Sequence, residues 1–184
     1  MFRRRGFMRP FRRGQHVANI LLQRANQWMA NGDYSQATRA FEELARRSEA
    51  RFPERTPFLY LEAGHAAILD GQVEIGVAHL RRGLTLLATQ GRYPRMQLLG
   101  QRAVNELNVQ GLKNEAFEIA SLLATNLPRQ ASPEQISPPK KPILPTHCPN
   151  CGGALRPDET EWLDEATAEC PYCGSPVRAE SNVP

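Results

Sequence analysis

The sequence contains no run of about 18 consecutive apolar residues, the length that a membrane-spanning helix requires. Its mean hydropathy is −0.49, and the basic N-terminus is not followed by the apolar segment of a secretory signal peptide. Cysteine is scarce as well: all 4 cysteines lie within the last 40 residues, whereas a disulfide scaffold usually distributes them. We therefore expect no transmembrane segment and a reducing, cytoplasmic compartment.

The motifs of several common enzyme classes are also missing. The chain lacks a glycine-rich phosphate loop, a Gly-x-Ser-x-Gly nucleophile elbow and a His-Glu-x-x-His metalloprotease motif. His65 and His79 lie 14 positions apart in helical segments, and we expect them to be packing or groove residues. Glu42, Glu43 and the acidic segment 161–165 are typical of solvated faces. We therefore expect that the protein is not an enzyme.

Charge is distributed unevenly along the chain, whose formal net charge is +4. Residues 1–14 contain six arginines and no acidic residue, whereas residues 140–184 contain four basic and seven acidic residues. The six are Arg3, Arg4, Arg5, Arg9, Arg12 and Arg13. Phenylalanines alternate with them, so this arm can bind nucleic acid or an anionic membrane surface, dock into a partner protein, or serve as a disordered tail.

Composition divides the chain into five parts. These are the basic arm (1–14), a helical region (15–127), a proline-rich linker (128–147), a cysteine module (148–178) and a short tail (179–184). The linker is expected to be an extended spacer, because its six prolines between 128 and 145 favour polyproline II structure.

The helical region carries an internal repeat. Gly32, Gly71 and Gly111 are 39 and 40 positions apart, and each is followed five positions later by a small residue. Each glycine also lies between two segments of helical periodicity, where it can adopt the positive φ that ends a helix. The predicted helices are 15–30, 34–50, 56–69, 73–88, 95–108 and 113–127. This pattern indicates three helical hairpins packed side by side.

The helical region resembles the tetratricopeptide repeat. The resemblance is carried best by Ala25, Gly32, Tyr34, Ala37 and Phe41 in the first hairpin. The repeat spacing exceeds the 34 residues of that family, and Val104 and Lys113 depart from its pattern. The resemblance implies a helical solenoid whose concave face binds other polypeptides; a generic helical array is the alternative.

Candidate partner-binding residues follow from helical phase on the first helix of each hairpin. They are Asn19, Gln23, Asn26, Glu62, Gln101 and Asn105. The sixth helix (113–127) carries Phe117 and Leu122 beside its main apolar stripe. We expect the cysteine module or a second copy of the chain to cover them, although isolated exposed apolar residues are also common.

The cysteine module contains two Cys-x-x-Cys pairs separated by 18 residues. Two residues between the thiols allow one tight turn to direct both sulfur atoms at one metal ion, and the glycines after each pair permit the backbone that follows. The predicted ligands are Cys148, Cys151, Cys170 and Cys173. Four thiolates close a tetrahedral site, which favours one structural Zn²⁺ per chain and leaves no open position for catalysis.

The paired Cys-Pro-x-Cys-Gly knuckles resemble a zinc ribbon, which implies a small β-sheet folded around the metal. Rubredoxin-like modules hold iron with similar knuckles, so an electron carrier is one alternative. His147 could replace a ligand, although a linker histidine is the simpler interpretation. A thioredoxin-type dithiol would require a βαβ context, which the sequence lacks.

Together these features predict a mainly α protein, in which a helical-hairpin solenoid of three tetratricopeptide-like repeats is joined to a small β zinc ribbon. The function expected from them is that of a non-enzymatic adaptor or scaffold that binds other proteins. The alternative is a nucleic-acid-associated protein that contacts phosphates through its arm and ribbon, although the acidic balance of residues 140–184 opposes this.

Overall fold

The computed structural model describes residues 11–126, 142–158 and 160–179. Its helical part contains six α-helices. They are α1 (Phe11–Asn31), α2 (Tyr34–Ser48), α3 (Thr56–Leu69), α4 (Val73–Thr89), α5 (Tyr93–Val109) and α6 (Lys113–Asn126). The prediction of six helices is confirmed, and the largest boundary difference is at α1, which begins at Phe11 instead of residue 15.

The arm and most of the linker fall outside this description. Arg3, Arg4, Arg5 and Arg9 lie outside the described residues, as do residue 127 of the helical region and residues 128–141 of the linker. Arg12 and Arg13 belong to α1, but their side chains are outside the described part of the chain.

Glycine ends four of the helices in the same way. Gly32, Gly71 and Gly111 have φ angles of 83°, 79° and 81°, as the repeat predicted, and Gly91 between α4 and α5 has a φ of 70°. At each turn the residue after the glycine donates a backbone hydrogen bond into the last turn of the preceding helix, as Leu112 does to the Leu107 carbonyl at 2.9 Å. This arrangement satisfies carbonyl groups that a helix end would otherwise leave unpaired.

Consecutive helices pack against one another from α1 to α6. Helices α3 and α4 lie close together, since a Cβ atom placed on Gly64 would lie 2.9 Å from the Gly76 carbonyl oxygen. A second buried cluster, which includes Leu84, Met96 and Ile119, joins α4, α5 and α6. Among the described residues, no helix has both the length and the apolar character needed to cross a membrane.

The cysteine module forms a three-stranded antiparallel sheet in the order β1 (Glu161–Trp162), β2 (Thr167–Glu169) and β3 (Pro176–Arg178). Trp162 pairs with Ala168, and Ala168 pairs in turn with Val177. The buried side chains of this sheet are continuous with the core of α1, α2 and α3, which contains Leu22 and Phe41. The module is therefore packed on the helices.

The module packs on α1, α3 and α5 and leaves α6 uncovered. Its described polar contacts reach Gln23 and Asn26 of α1, Glu62 of α3 and Arg95 of α5. Phe117 of α6 is 75% exposed among the described residues, although Leu122 is partly buried against the α4–α6 core. The expectation that the cysteine module covers the far face of α6 was wrong, because that module is docked on other helices. Coverage by a second copy stays a prediction.

Candidate metal centre

Two backbone turns of the same form present the cysteines. In the first knuckle (Cys148–Cys151), the Gly152 N–H donates to the Cys148 carbonyl at 2.8 Å, and in the second (Cys170–Cys173), the Gly174 N–H donates to the Cys170 carbonyl at 2.9 Å. Gly152 and Gly174 have φ angles of 75° and 69°. These values confirm the prediction that glycine supplies a positive φ after each pair.

The four sulfur atoms converge on one point. All four Sγ atoms lie within 4.8 Å of one another; Cys148 and Cys173 are separated by 3.7 Å, and Cys151 and Cys170 by 3.8 Å. A tetrahedron of sulfurs around a metal at about 2.3 Å has edges of about 3.8 Å. A disulfide would instead bring two sulfurs to about 2.05 Å. The donor set therefore has the geometry of a site that can hold a metal ion.

Burial and mutual hydrogen bonding shift the acidities of the thiols in opposite directions. The neighbouring thiols, Cys151 first, lower the pKa of Cys148 to about 6. Hydrogen bonds with Cys148 and the other thiols, together with burial, raise the pKa of Cys151 well above its usual range. A metal ion bound here would displace the thiol protons, because a coordinating thiol is deprotonated outright.

Asn150 of the first knuckle connects the two halves of the cluster. Its Nδ2 atom lies 3.6 Å from Cys173 Sγ and donates to Ser175 Oγ at 2.8 Å. An amide donor directed at a thiolate stabilises its negative charge, as outer contacts around metal ligands commonly do. The Asn150 side chain therefore links the two knuckles whether or not a metal ion is bound.

Helix α1 binds the backbone of the first knuckle. The Gln23 amide donates to the Asn150 carbonyl, and the Asn26 amide donates to the Cys151 carbonyl at 2.8 Å. Gly152 lies against the same helix, since a Cβ there would be 3.7 Å from the Asn26 Cβ. The knuckle is therefore held by side chains that come from about 125 residues earlier in the chain.

Helix α3 and the residue before it bind the second knuckle. Arg55 Nη1 donates to the Cys173 carbonyl at 3.0 Å, and Tyr172 donates its hydroxyl hydrogen to Glu62 Oε1 at 2.8 Å. The Tyr172 ring also meets the Phe58 ring edge-to-face, with centroids 6.5 Å apart. Both knuckles are thus fastened to the helical part by hydrogen bonds to backbone or side chain.

Three of the six predicted partner-binding residues, Gln23, Asn26 and Glu62, contact the chain's own cysteine module. Gln101 donates to Asn105 Oδ1 at 3.2 Å on an exposed face of α5, and Asn19 is half-buried on α1.

Sequence reasoning missed Arg55, Tyr172 and Asn150 as contributors to the site. Tyr172 and Asn150 could have been considered from their positions inside the knuckles. Arg55 carries no sequence signal, because its role depends on a contact with a residue 118 positions away.

A cleft next to the second knuckle is lined mainly by α3 and α5, with Tyr172 at its edge. Within it, His65 Nε2 lies 2.8 Å from Glu106 Oε1. Burial tends to lower the pKa of His65, but the hydrogen bond and charge of Glu106 outweigh it and raise that pKa above its ordinary value. His79 instead stacks on Tyr60 with ring centroids 5.8 Å apart, and burial lowers its pKa. His65 therefore links α3 to α5, and His79 links α4 to α3.

Comparison with protein-family models found no match, and comparisons with curated proteins and with solved structures found none either. The chain is a mainly helical protein with a small antiparallel sheet and a four-cysteine cluster that can hold a metal ion.

Proposed function

We propose that this chain is a non-enzymatic adaptor or scaffold in which one structural Zn²⁺, held by Cys148, Cys151, Cys170 and Cys173, locks a ribbon onto a helical protein-binding array. The observation that carries the proposal is the cluster of four sulfur atoms within 4.8 Å of one another, placed against α1 and α3. Four thiolates satisfy the coordination preference of zinc and close the site, so the ion acts by stabilising structure.

Metal analysis of the full chain, purified without added metal, tests whether the bound ion is zinc. One zinc per chain and a colourless protein support the proposal. A coloured protein that contains iron would favour a rubredoxin-like electron carrier. A protein that contains neither metal would contradict the proposed structural ion. A cobalt-loaded sample provides a control, because its absorption spectrum reports whether all four thiolates coordinate.

The adaptor function is supported by the consecutive packing of helices and by the glycine turns at a spacing near 39 residues. The tetratricopeptide resemblance implies helical hairpins packed in chain order, and solenoids of that kind bind polypeptides along an exposed face. Because the ribbon contacts Gln23, Asn26 and Glu62, the proposed partner surface is centred on Gln101 and Asn105 of α5.

Affinity purification from the native source, with mass spectrometry of the co-purifying proteins, tests this surface. The variant Gln101→Arg should lose the specific partners, whereas Gln36→Arg on an exposed face of α2 makes the same change elsewhere and should retain them. Equal recovery with both variants would contradict the α5 surface. Recovery of no specific partner with the wild type would contradict the adaptor function itself.

Self-association through α6 is a second proposed contact, and the exposure of Phe117 supports it. Sedimentation of the wild type should show a dimer that the variant Phe117→Ser disrupts. A monomer at all concentrations would exclude this contact.

Nucleic-acid binding is the alternative function, and the arginines of residues 1–14 favour it. The exposed acidic residues Glu161, Asp164 and Glu165 of the ribbon repel a polyanion, so the arm is the proposed contact. An electrophoretic shift that disappears when the six arm arginines are replaced by glutamine would support it. A shift that survives this replacement would mean that the contact lies elsewhere.

A further inference from the structure

A filled metal site creates a charge problem in this fold. Four thiolates around a divalent ion carry a net charge of −2. The side chains of Cys148, Cys151 and Cys170 are only 2%, 0% and 1% exposed. A buried charge of this size is costly unless nearby donors or cations compensate for it. The chain must therefore provide such groups from residues that surround the knuckles.

Arg55 is placed to provide one. It immediately precedes α3, and its Nη1 atom donates to the carbonyl of the ligand residue Cys173 at 3.0 Å. The guanidinium also lies against Gly174, where a Cβ atom would collide with it, and over the Phe52 ring at 5.1 Å. The side chain is only 24% exposed, so these contacts hold its position.

The other charged contacts of Arg55 do not prevent it from compensating the negative charge of a filled metal site. Its guanidinium lies 3.7 Å from Glu54 Oε1 and 3.7 Å from Glu169 Oε1, and both glutamates are more exposed than the arginine. Solvent screens those two pairs more strongly than it screens charges inside the protein. The positive charge therefore remains effective toward the buried cluster.

We propose that Arg55 is a positioning residue of the metal centre, which holds the second knuckle against α3 and offsets part of the centre's negative charge. This inference rests on the proposed structural metal site. On this proposal the ribbon supplies the metal ligands. The helical part supplies an outer contact, which is a group that binds a ligand residue but not the metal itself. Metal retention and docking of the ribbon are then linked, and each strengthens the other.

Zinc release from the loaded full chain into an excess of chromophoric chelator tests the proposal. The variant Arg55→Gln removes the charge, and we expect it to release zinc about 10- to 100-fold faster, the usual effect of losing an outer contact. Arg55→Lys keeps the charge without the planar fork and should release zinc at an intermediate rate. Arg51→Gln makes the same change at an exposed loop position and should match the wild type.

The outcomes separate this inference from the proposed function. If the wild type binds no zinc, the proposed structural site fails. If the wild type binds one zinc and Arg55→Gln releases it at the wild-type rate, the positioning role of Arg55 is overturned. Helical circular dichroism of each loaded variant shows whether it is folded. If Arg55→Gln does not fold, zinc release from Arg55→Lys becomes the test. A release rate for Arg55→Lys equal to that of the wild type then overturns the inference.

Discussion

Tyr172, which lies inside the second knuckle, donates its hydroxyl hydrogen to Glu62 of α3 across a separation of 110 residues. The bond fastens the second knuckle to α3, and Glu62 of that helix was predicted to bind a partner protein. The face expected to recognise other chains is therefore partly engaged by the chain itself. The strength of this contact can be measured directly.

The first prediction concerns this pair. Tyr172→Phe removes the hydroxyl but preserves the ring packing on Phe58, so we expect a loss of about 1.5–3 kcal/mol in unfolding free energy, as for a hydrogen bond to a charged group. A double-mutant cycle with Glu62→Ala, which removes the acceptor, isolates the pairwise contribution when measured by urea unfolding of the metal-loaded chain. Additive effects of the two substitutions would show that the bond contributes nothing in solution.

The second prediction concerns metal removal. Cys151→Ser replaces a fully buried ligand, and we expect bound zinc to fall from one per chain to about zero, because structural sites need their complete thiolate set. Chelation of the wild type should produce the same decrease in melting temperature and the same spectrum. A variant that keeps full metal content and full stability would contradict the four-cysteine assignment.

The third prediction concerns pH and the pair His65–Glu106. The pKa of His65 is raised, with Glu106 as the group that raises it, and the pKa of Glu106 is lowered, first by its hydrogen bond with His65. The histidine's contribution to stability is therefore fully present below its unfolded pKa of about 6.5 and is lost as pH rises through the higher folded value. The contribution of Glu106 is present above about 4.5 and is lost as pH falls through its folded value.

Unfolding measured between about pH 5 and about pH 9, a range that spans the unfolded pKa of histidine near 6.5, provides the check for His65. The stability advantage of the wild type over His65→Gln should be largest near the acidic end and should decrease toward the basic end. His79 gives the contrast, because burial lowers its pKa and its contribution is lost on acidification. A pH-independent difference for His65→Gln would exclude the ion pair in solution.

The fourth prediction concerns the contact between α3 and α4. Gly64→Ala places a methyl group 2.9 Å from the Gly76 carbonyl oxygen, which is backbone and cannot move aside cheaply. We expect a loss of about 1–3 kcal/mol, the usual cost of overpacking. Gln36→Ala on an exposed face of α2 is the control, since that side chain is exposed and alanine is at least as good a helix former as glutamine. If the two variants are equally stable in thermal unfolding, the close helix contact is not present.

Local features were predictable because they depend on neighbouring residues. The helix from Thr56 to Leu69 was predicted at its observed bounds, since a proline near its start and Gly71 after its end mark both limits. Gly91 was missed because the repeat was defined by spacings of 39 and 40 residues, although Gly91 makes the same turn halfway between Gly71 and Gly111. The convergence of the four sulfurs follows from the spacing within each cysteine pair.

The docking of the module could not be predicted from local pattern. Gln23, Asn26 and Glu62 have the polar character and helical phase of an open binding face, and nothing nearby in the chain distinguishes a partner from the chain's own ribbon. Phe117 gives the opposite case, because its apolar character suggested coverage by the module, but the structure leaves it 75% exposed.

The amino-acid sequence by itself determined the six helices, the glycine turns between them and the identity of the four thiols, since periodicity, backbone freedom and ligand spacing act over a few residues. Only the tertiary structure decided that the ribbon lies on α1, α3 and α5 and that Arg55 reaches the Cys173 carbonyl. The reason is that such contacts join residues far apart in the chain, more than 100 positions for those made by α1 and by Arg55, and they depend on complementary shape and charge that exist only once both parts have folded.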